Sequence, residues 1–142
     1  MKIITTFFLV IAAMANVGYV FPQNNMTGKN KTKLMVYYFH PTERCPIDQS
    51  IEENTRKVMQ SDFAKEVKSG TIIFQVINTD DKAYKKLVST FEMNAQALYL
   101  VTLVNGKEIK NNLTEFAFSC SQNNPVKFKS RLKDEIFTAL KL

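Results

Sequence analysis

The fold turns on one stretch: Leu34-Met35-Val36-Tyr37-Tyr38-Phe39, running into His40-Pro41-Thr42-Glu43-Arg44-Cys45-Pro46-Ile47-Asp48. The first six residues are uncharged, of strand length and rich in residues that suit a sheet, as in a strand buried on both faces. From Pro46 to Ser69, Ile47, Ile51, Val58, Met59, Phe63 and Val67 recur at helical spacing, and Gly70 is a natural stop. Cys45 therefore stands where a strand hands over to an amphipathic helix. A thiol at a helix N-terminus feels the positive end of the helix dipole and unpaired N–H groups, both of which favour thiolate.

Downstream, Thr71-Ile72-Ile73-Phe74-Gln75-Val76-Ile77 reads as a second buried strand. Thr79-Asp80-Asp81 caps a short helix carrying Tyr84, Leu87, Val88 and Phe91 on one face. Leu98-Tyr99-Leu100-Val101-Thr102-Leu103-Val104 is a third strand, and Asn105-Gly106 turns it into a short fourth near Lys107–Lys110. A loop holding Phe116, Phe118 and Cys120 is expected next, and Asn124 before Pro125 opens the last helix. The order is β-α-β-α-β-β-α: strands alternating with helices predict right-handed parallel crossovers, and the late hairpin adds an antiparallel edge, giving an α/β fold with a mixed central sheet.

With 142 residues, the chain holds one domain with a single core. Met1-Lys2, the apolar run Ile3–Ala13 broken only by Thr5 and Thr6, and small Ala13-Met14-Ala15 read as a signal peptide over 1–15, cleaved there or as late as 22. The alternative is an uncleaved anchor, although Asn16 and Gly18 interrupt a span marginal for a bilayer. Residues 16–33 form a polar tether, and 34–142 the folded domain. The expected location is therefore exported, periplasmic or extracellular, with no stable membrane insertion after cleavage. Outside the cytosol Cys45 and Cys120, the two cysteines, are candidates to pair.

The formal charge is +6, much of it on Lys127, Lys129, Arg131, Lys133 and Lys141. These are interspersed with Val126, Phe128, Leu132, Ile136 and Leu140, the pattern of a solvated helix face, and no nucleic-acid motif is present. Four scattered glycines and no GxGxxG offer no flavin or dinucleotide site, so no cofactor is expected. His40, Cys45, Asp48 and Cys120 could hold a soft metal or metalloid, but at no ligand spacing. Asn25-Met26-Thr27, Asn30-Lys31-Thr32 and Asn112-Leu113-Thr114 match the glycosylation sequon.

The element order, with cysteine at the first helix start, resembles the thioredoxin-like fold over Leu34 to Leu142. Val36-Tyr37-Tyr38-Phe39-His40 followed by Arg44-Cys45 is similar to small exported bacterial proteins of the ArsF family, described as a nitrophenyl compound nitroreductase subunit. Asn112-Leu113-Thr114-Glu115-Phe116-Ala117-Phe118 and Asn124-Pro125-Val126-Lys127-Phe128-Lys129 resemble that family's late segment. The resemblance implies thiol–disulfide chemistry at Cys45, with Arg44, Pro46, Asp48, His40, Gln96 and Ala97 as neighbours. It also implies that the loop of Cys120 lies near the first helix start, so that Cys120 becomes a partner thiol, resolving or structural. That disulfide would close a loop of about 75 residues, worth ~4 kcal/mol in the chain-entropy model.

Three departures stand against the family pattern. Cys-x-x-Cys reads Cys45-Pro46-Ile47-Asp48 here. The cis-proline expected before the third strand is absent from Asn94-Ala95-Gln96-Ala97-Leu98. Tyr37 and Tyr38 replace a buried carboxylate on the first strand. At Cys45 the helix terminus favours negative charge by about 0.3–1 kcal/mol, Arg44 could add as much, and the Asp48 carboxylate opposes both. Three functions follow: thiol–disulfide exchange with an exported protein or a small thiol, a binding module that kept the fold and lost the reaction, and, third, metal or metalloid handling. Oligomeric state is left open.

Overall fold

The computed structural model describes residues 32–141 apart from 92 and 94, so the expected leader and most of the tether lie outside the described residues. Strands β1 (Leu34–His40), β2 (Ile72–Asn78), β3 (Ala97–Val104) and β4 (Lys107–Asn112) form one sheet in the order β2-β1-β3-β4. Helix α1 (Pro46–Ser61) and short α2 (Ala64–Lys68) connect β1 to β2. A 3₁₀ turn (Lys82–Tyr84) and one-turn α3 (Lys85–Val88) lead to β3, and α4 (Thr114–Cys120) and α5 (Pro125–Leu140) close the chain. This is an α/β layout of the thioredoxin-like kind, with a mixed sheet as expected.

β1 is buried on both faces, which its unbroken apolar run demands. Leu34, Val36 and Tyr38 point into the larger core beneath α1, α4 and α5, with Leu98, Leu100, Ile51, Val58, Phe128, Leu132 and Ile136. Met35, Tyr37 and Phe39 point the other way, to Phe91, Ala97, Tyr99 and Val101 under the 3₁₀ turn and α3. On α5, Phe128, Leu132 and Ile136 recur every four residues and are fully buried, each contributing about 1.5–3 kcal/mol. Lys127 and Arg131 lie in solvent, as the charge pattern anticipates, whereas Val126, grouped in sequence with the apolar positions, is exposed in the first turn of the helix.

Four details depart from the sequence reading. β1 and β2 are parallel, but β3 runs antiparallel to β1. A parallel return needs a connecting element as long as the strand, and α3, with four residues, spans only about 6 Å. β2 is an edge strand with most residues half-buried, since its other side has no neighbour in the sheet. The first helix breaks at Ser61. Phe63 leaves helical geometry (φ −124°, ψ 23°) and buries its ring against Phe137, 5.0 Å between centroids. Lastly, Cys120 ends a helix rather than sitting in a loop.

Turn and cap chemistry is as read. Asn124 accepts the Lys127 N–H at 3.0 Å, and Asp81 accepts the Ala83 N–H at 2.9 Å. Asn105 and Gly106 both have positive φ, 51° and 78°, the type I′ arrangement that matches strand twist. A Cβ on Gly106 would meet nothing within 4 Å, so only its backbone angle resists substitution. Gly106→Ala is expected to lower stability by about 1 kcal/mol in chemical denaturation, with an unchanged m-value.

Candidate functional site

The site gathers around the first turn of α1. β1 ends at His40, whose carbonyl accepts the Thr79 N–H at 2.8 Å, and Thr42 N–H donates to Asp80 Oδ2 at 2.7 Å. These bonds tie the loop between β1 and α1 to the end of β2, and the Thr42 bonds hold the Asp80 carboxyl below its usual range. His40 itself is turned to its neighbours: Nδ1 lies 2.8 Å from the Pro41 carbonyl, and the ring stacks on Tyr38 at 6.1 Å.

Cys45 is the N-cap of α1, with extended backbone (φ −90°, ψ 166°), and Pro46 follows at the first helical position, where its missing N–H is harmless. The Cys45 side chain is exposed to solvent. Asp48, three residues on, completes a capping box: its Oδ2 accepts the Cys45 N–H at 3.0 Å while the Cys45 side chain faces the Asp48 N–H. Asp48 thus occupies the place of the second cysteine and is 0% exposed.

Four donors surround that buried residue. The Tyr38 hydroxyl donates to Asp48 Oδ1 at 3.1 Å and lies 3.0 Å from its carbonyl. Gln96 Nε2 reaches Oδ2 at 3.3 Å from the start of β3. Arg44 Nη2 donates to the Asp48 carbonyl at 3.1 Å. Burial pushes the Asp48 carboxyl up, but the bonds from Cys45, Tyr38 and Gln96 outweigh it and hold the group below its ordinary value. Asp48 is therefore an anion at neutral pH. Tyr38 shifts the other way: burial first, then the Asp48 charge, raise its hydroxyl far above the ordinary phenol range.

Arg44 does not turn to the thiol. Its Nη1 pairs with Glu52 Oε2 at 2.6 Å, Glu52 also takes Arg56 at 2.6 Å, and its guanidinium lies over the Tyr38 ring at 5.8 Å. The favourable charge that Arg44 could lend Cys45 is directed to Glu52 and the helix backbone.

Cys120 lies elsewhere in the same layer. It is buried in the larger core, with Ser119 Oγ 3.5 Å from its sulfur, and both cysteines are free. Ser50 Oγ and Asn54 Nδ2 hold the Ser121 carbonyl at 2.8 and 3.1 Å, so the end of α4 docks along α1 beyond its first turn. Among the described residues no three His, Cys, Asp or Glu side chains converge as a metal site. No helix among them is long and apolar enough to cross a membrane.

Beside Gln96 opens a cleft of about 350 Å³ lined by Met93, Ala95, Gln96, Ala97, Asn112, Thr114 and Phe118. Gln96 belongs both to this cleft and to the Asp48 cluster, which links the cleft to the turn bearing Cys45. No protein-family model, curated protein or solved structure matches this chain.

Of the residues singled out in sequence, Cys45, Pro46, Asp48, Arg44 and Gln96 come together here, with His40 at the margin on the Tyr38 ring. Tyr38 was missed as a site residue and read only as core. Two signals pointed to it: a tyrosine on the inward face of a fully buried strand needs a partner for its hydroxyl, and Asp three residues after a helix start is positioned to cap. Tyr38→Phe should lower stability by about 1–2 kcal/mol in chemical denaturation. Losing that donor also brings the Asp48 carboxyl back toward its ordinary value, so the variant should lose less stability than the wild type as pH falls below 3.8, and the gap between the two should narrow in acid.

Proposed function

We propose that this chain is an exported thioredoxin-like protein, of the kind the ArsF-type resemblance implies, that uses Cys45 as a single nucleophilic thiol. The Cys45 thiolate attacks one sulfur of a disulfide R–S–S–R′. A Cys45–S–S–R bond forms and R′–S⁻ departs; a second thiolate R″–S⁻ then attacks the R sulfur, forms R–S–S–R″ and releases the Cys45 thiolate, which closes the cycle. What supports this reading is the exposure of Cys45 at the N-cap of α1, with the resolving position held by a buried carboxylate. Asp48 has no sulfur and Cys120 is enclosed in the core, so resolution is assigned to an external thiol. The cleft at Gln96, tied to the turn of Cys45 through the Gln96–Asp48 hydrogen bond, is the surface on which a partner would dock.

One observation favours a second reading. A fully buried carboxylate stands where the second thiol of a Cys-x-x-Cys pair would be, as expected of a binding module that has lost the reaction. Glutathione disulfide separates the two readings. Wild type and Cys120→Ser should each gain one glutathione by intact mass near neutral pH, and Cys45→Ser none. An absent adduct in the wild type would leave the binding module.

A further inference from the structure

We infer that the exposed edge of the sheet, β4, is a pairing surface for a second copy of this chain, in one antiparallel register centred on Ile109. All six residues of β4 are exposed, and among the described residues no strand lies beyond it in the sheet. Ile109 is 44% exposed, the large apolar side chain that this edge presents to solvent.

The hairpin phase decides which backbone groups are available. Val104 and Lys107 close a two-residue turn, so they form the hydrogen-bonded pair of the ladder. The same phase recurs at the far end, where Leu113 N–H donates to the Leu98 carbonyl at 2.8 Å. Lys107, Ile109 and Asn111 therefore spend their N–H and C=O groups on β3. Glu108, Lys110 and Asn112 turn theirs outward.

Two antiparallel copies can bond only where outward residues meet outward residues, which restricts the dyad to every residue in turn but fixes the pairs. A dyad on Glu108 sets Glu108 against Glu108 of the other copy, and a dyad on Lys110 sets lysine against lysine. Like charges directly opposite are unfavourable. A dyad on Ile109 instead places each Glu108 opposite the other copy's Lys110, twice, and brings the two Ile109 side chains together at the closely spaced, non-hydrogen-bonded pair. The two registers one residue to either side are repelled by charge, and the sequence Glu108-Ile109-Lys110 is complementary to its own reverse.

Lysines usually guard sheet edges. Lys110 does not stand across this one: its Nζ bonds the Thr90 carbonyl at 2.7 Å and lies 4.5 Å over the Phe91 ring. Glu108 lines a second cleft on that face, distinct from the one at Gln96, together with Thr90 and Phe91, so the incoming Glu108 carboxylate meets an ammonium already fixed on the same face. One strand pair buries less than a standard interface, and the dimer is accordingly weak and reversible.

Sedimentation velocity of the full chain over a concentration series tests the pairing and its register together. The wild type should self-associate. Glu108→Lys alone and Lys110→Glu alone should each weaken association by about tenfold, since two attractions become repulsions. Mixing the two single variants should restore it as a heterodimer, and so should both substitutions in one chain. That restoration also shows that the variants fold. A wild type that stays monomeric throughout overturns the inference, as does association indifferent to the single swaps, or loss that mixing does not restore.

Discussion

Asp48→Ala is expected to lower stability by about 3 kcal/mol at neutral pH, a fall in Tm on the order of 15 °C. The carboxylate is fully buried and accepts from the Tyr38 hydroxyl, the Cys45 N–H and the Gln96 amide. Alanine leaves all three donors without that acceptor inside the protein and removes the cap that starts α1. Asp48→Asn keeps the shape and one oxygen, so it should cost roughly half as much. The two differ further in acid. The Asp48 carboxyl sits below its ordinary value of 3.8 when folded, so its ionisation contributes stability that is fully present above that value. That contribution is lost as pH falls through 3.8 toward the lowered folded value. Denaturant titrations at neutral pH and near pH 3 should show the gap between wild type and Asp48→Asn closing in acid. A gap independent of pH would mean that the carboxylate is not held as an anion.

Asp48→Cys is expected to change the chemistry rather than only weaken the fold. Residues three apart in the first turn of a helix have Cα atoms within disulfide reach. After Cys45 has formed a mixed disulfide with glutathione, the thiol introduced at position 48 can attack the Cys45 sulfur and expel glutathione thiolate. Held one turn away, it acts at an effective concentration far above that of free thiols. Treated with glutathione disulfide, this variant should lose two hydrogens by intact mass instead of gaining glutathione. It should also be less stable than the wild type, because Tyr38 and the Cys45 N–H lose their charged acceptor. A persistent glutathione adduct would show that the geometry of the first turn does not permit resolution at position 48.

Much of this site was legible because its determinants are local. The apolar run Leu34–Phe39, the turn at Asn105-Gly106 and the caps at Asp81 and Asn124 depend on neighbours in sequence, and each is found where the residues put it. Cys45 at the start of α1 follows from the same logic. Long-range placement was not legible from pattern. The reversed direction of β3 follows from the shortness of α3, and the exposed side of β2 from its place at the sheet edge. The helix ending at Cys120 has no side-chain cap at Leu113, so nothing in the sequence announced it. The contact between Gln96 and Asp48 joins residues far apart in the chain, and only the fold resemblance suggested it. Arg44 illustrates a limit of counting charges: its sign was evident, but its partner, Glu52 rather than the thiol, is set by packing over Tyr38.

The most direct measurement is a redox titration of the wild-type chain across a glutathione series, read by intact mass after alkylation of free thiols. A single-thiol site at Cys45 gives one reversible glutathione adduct per chain, with Cys120 unmodified in the folded protein. Loss of two hydrogens would instead join Cys45 to Cys120 and make the buried cysteine the resolving or structural partner. Two thiols that stay free throughout would contradict the chemistry assigned to Cys45.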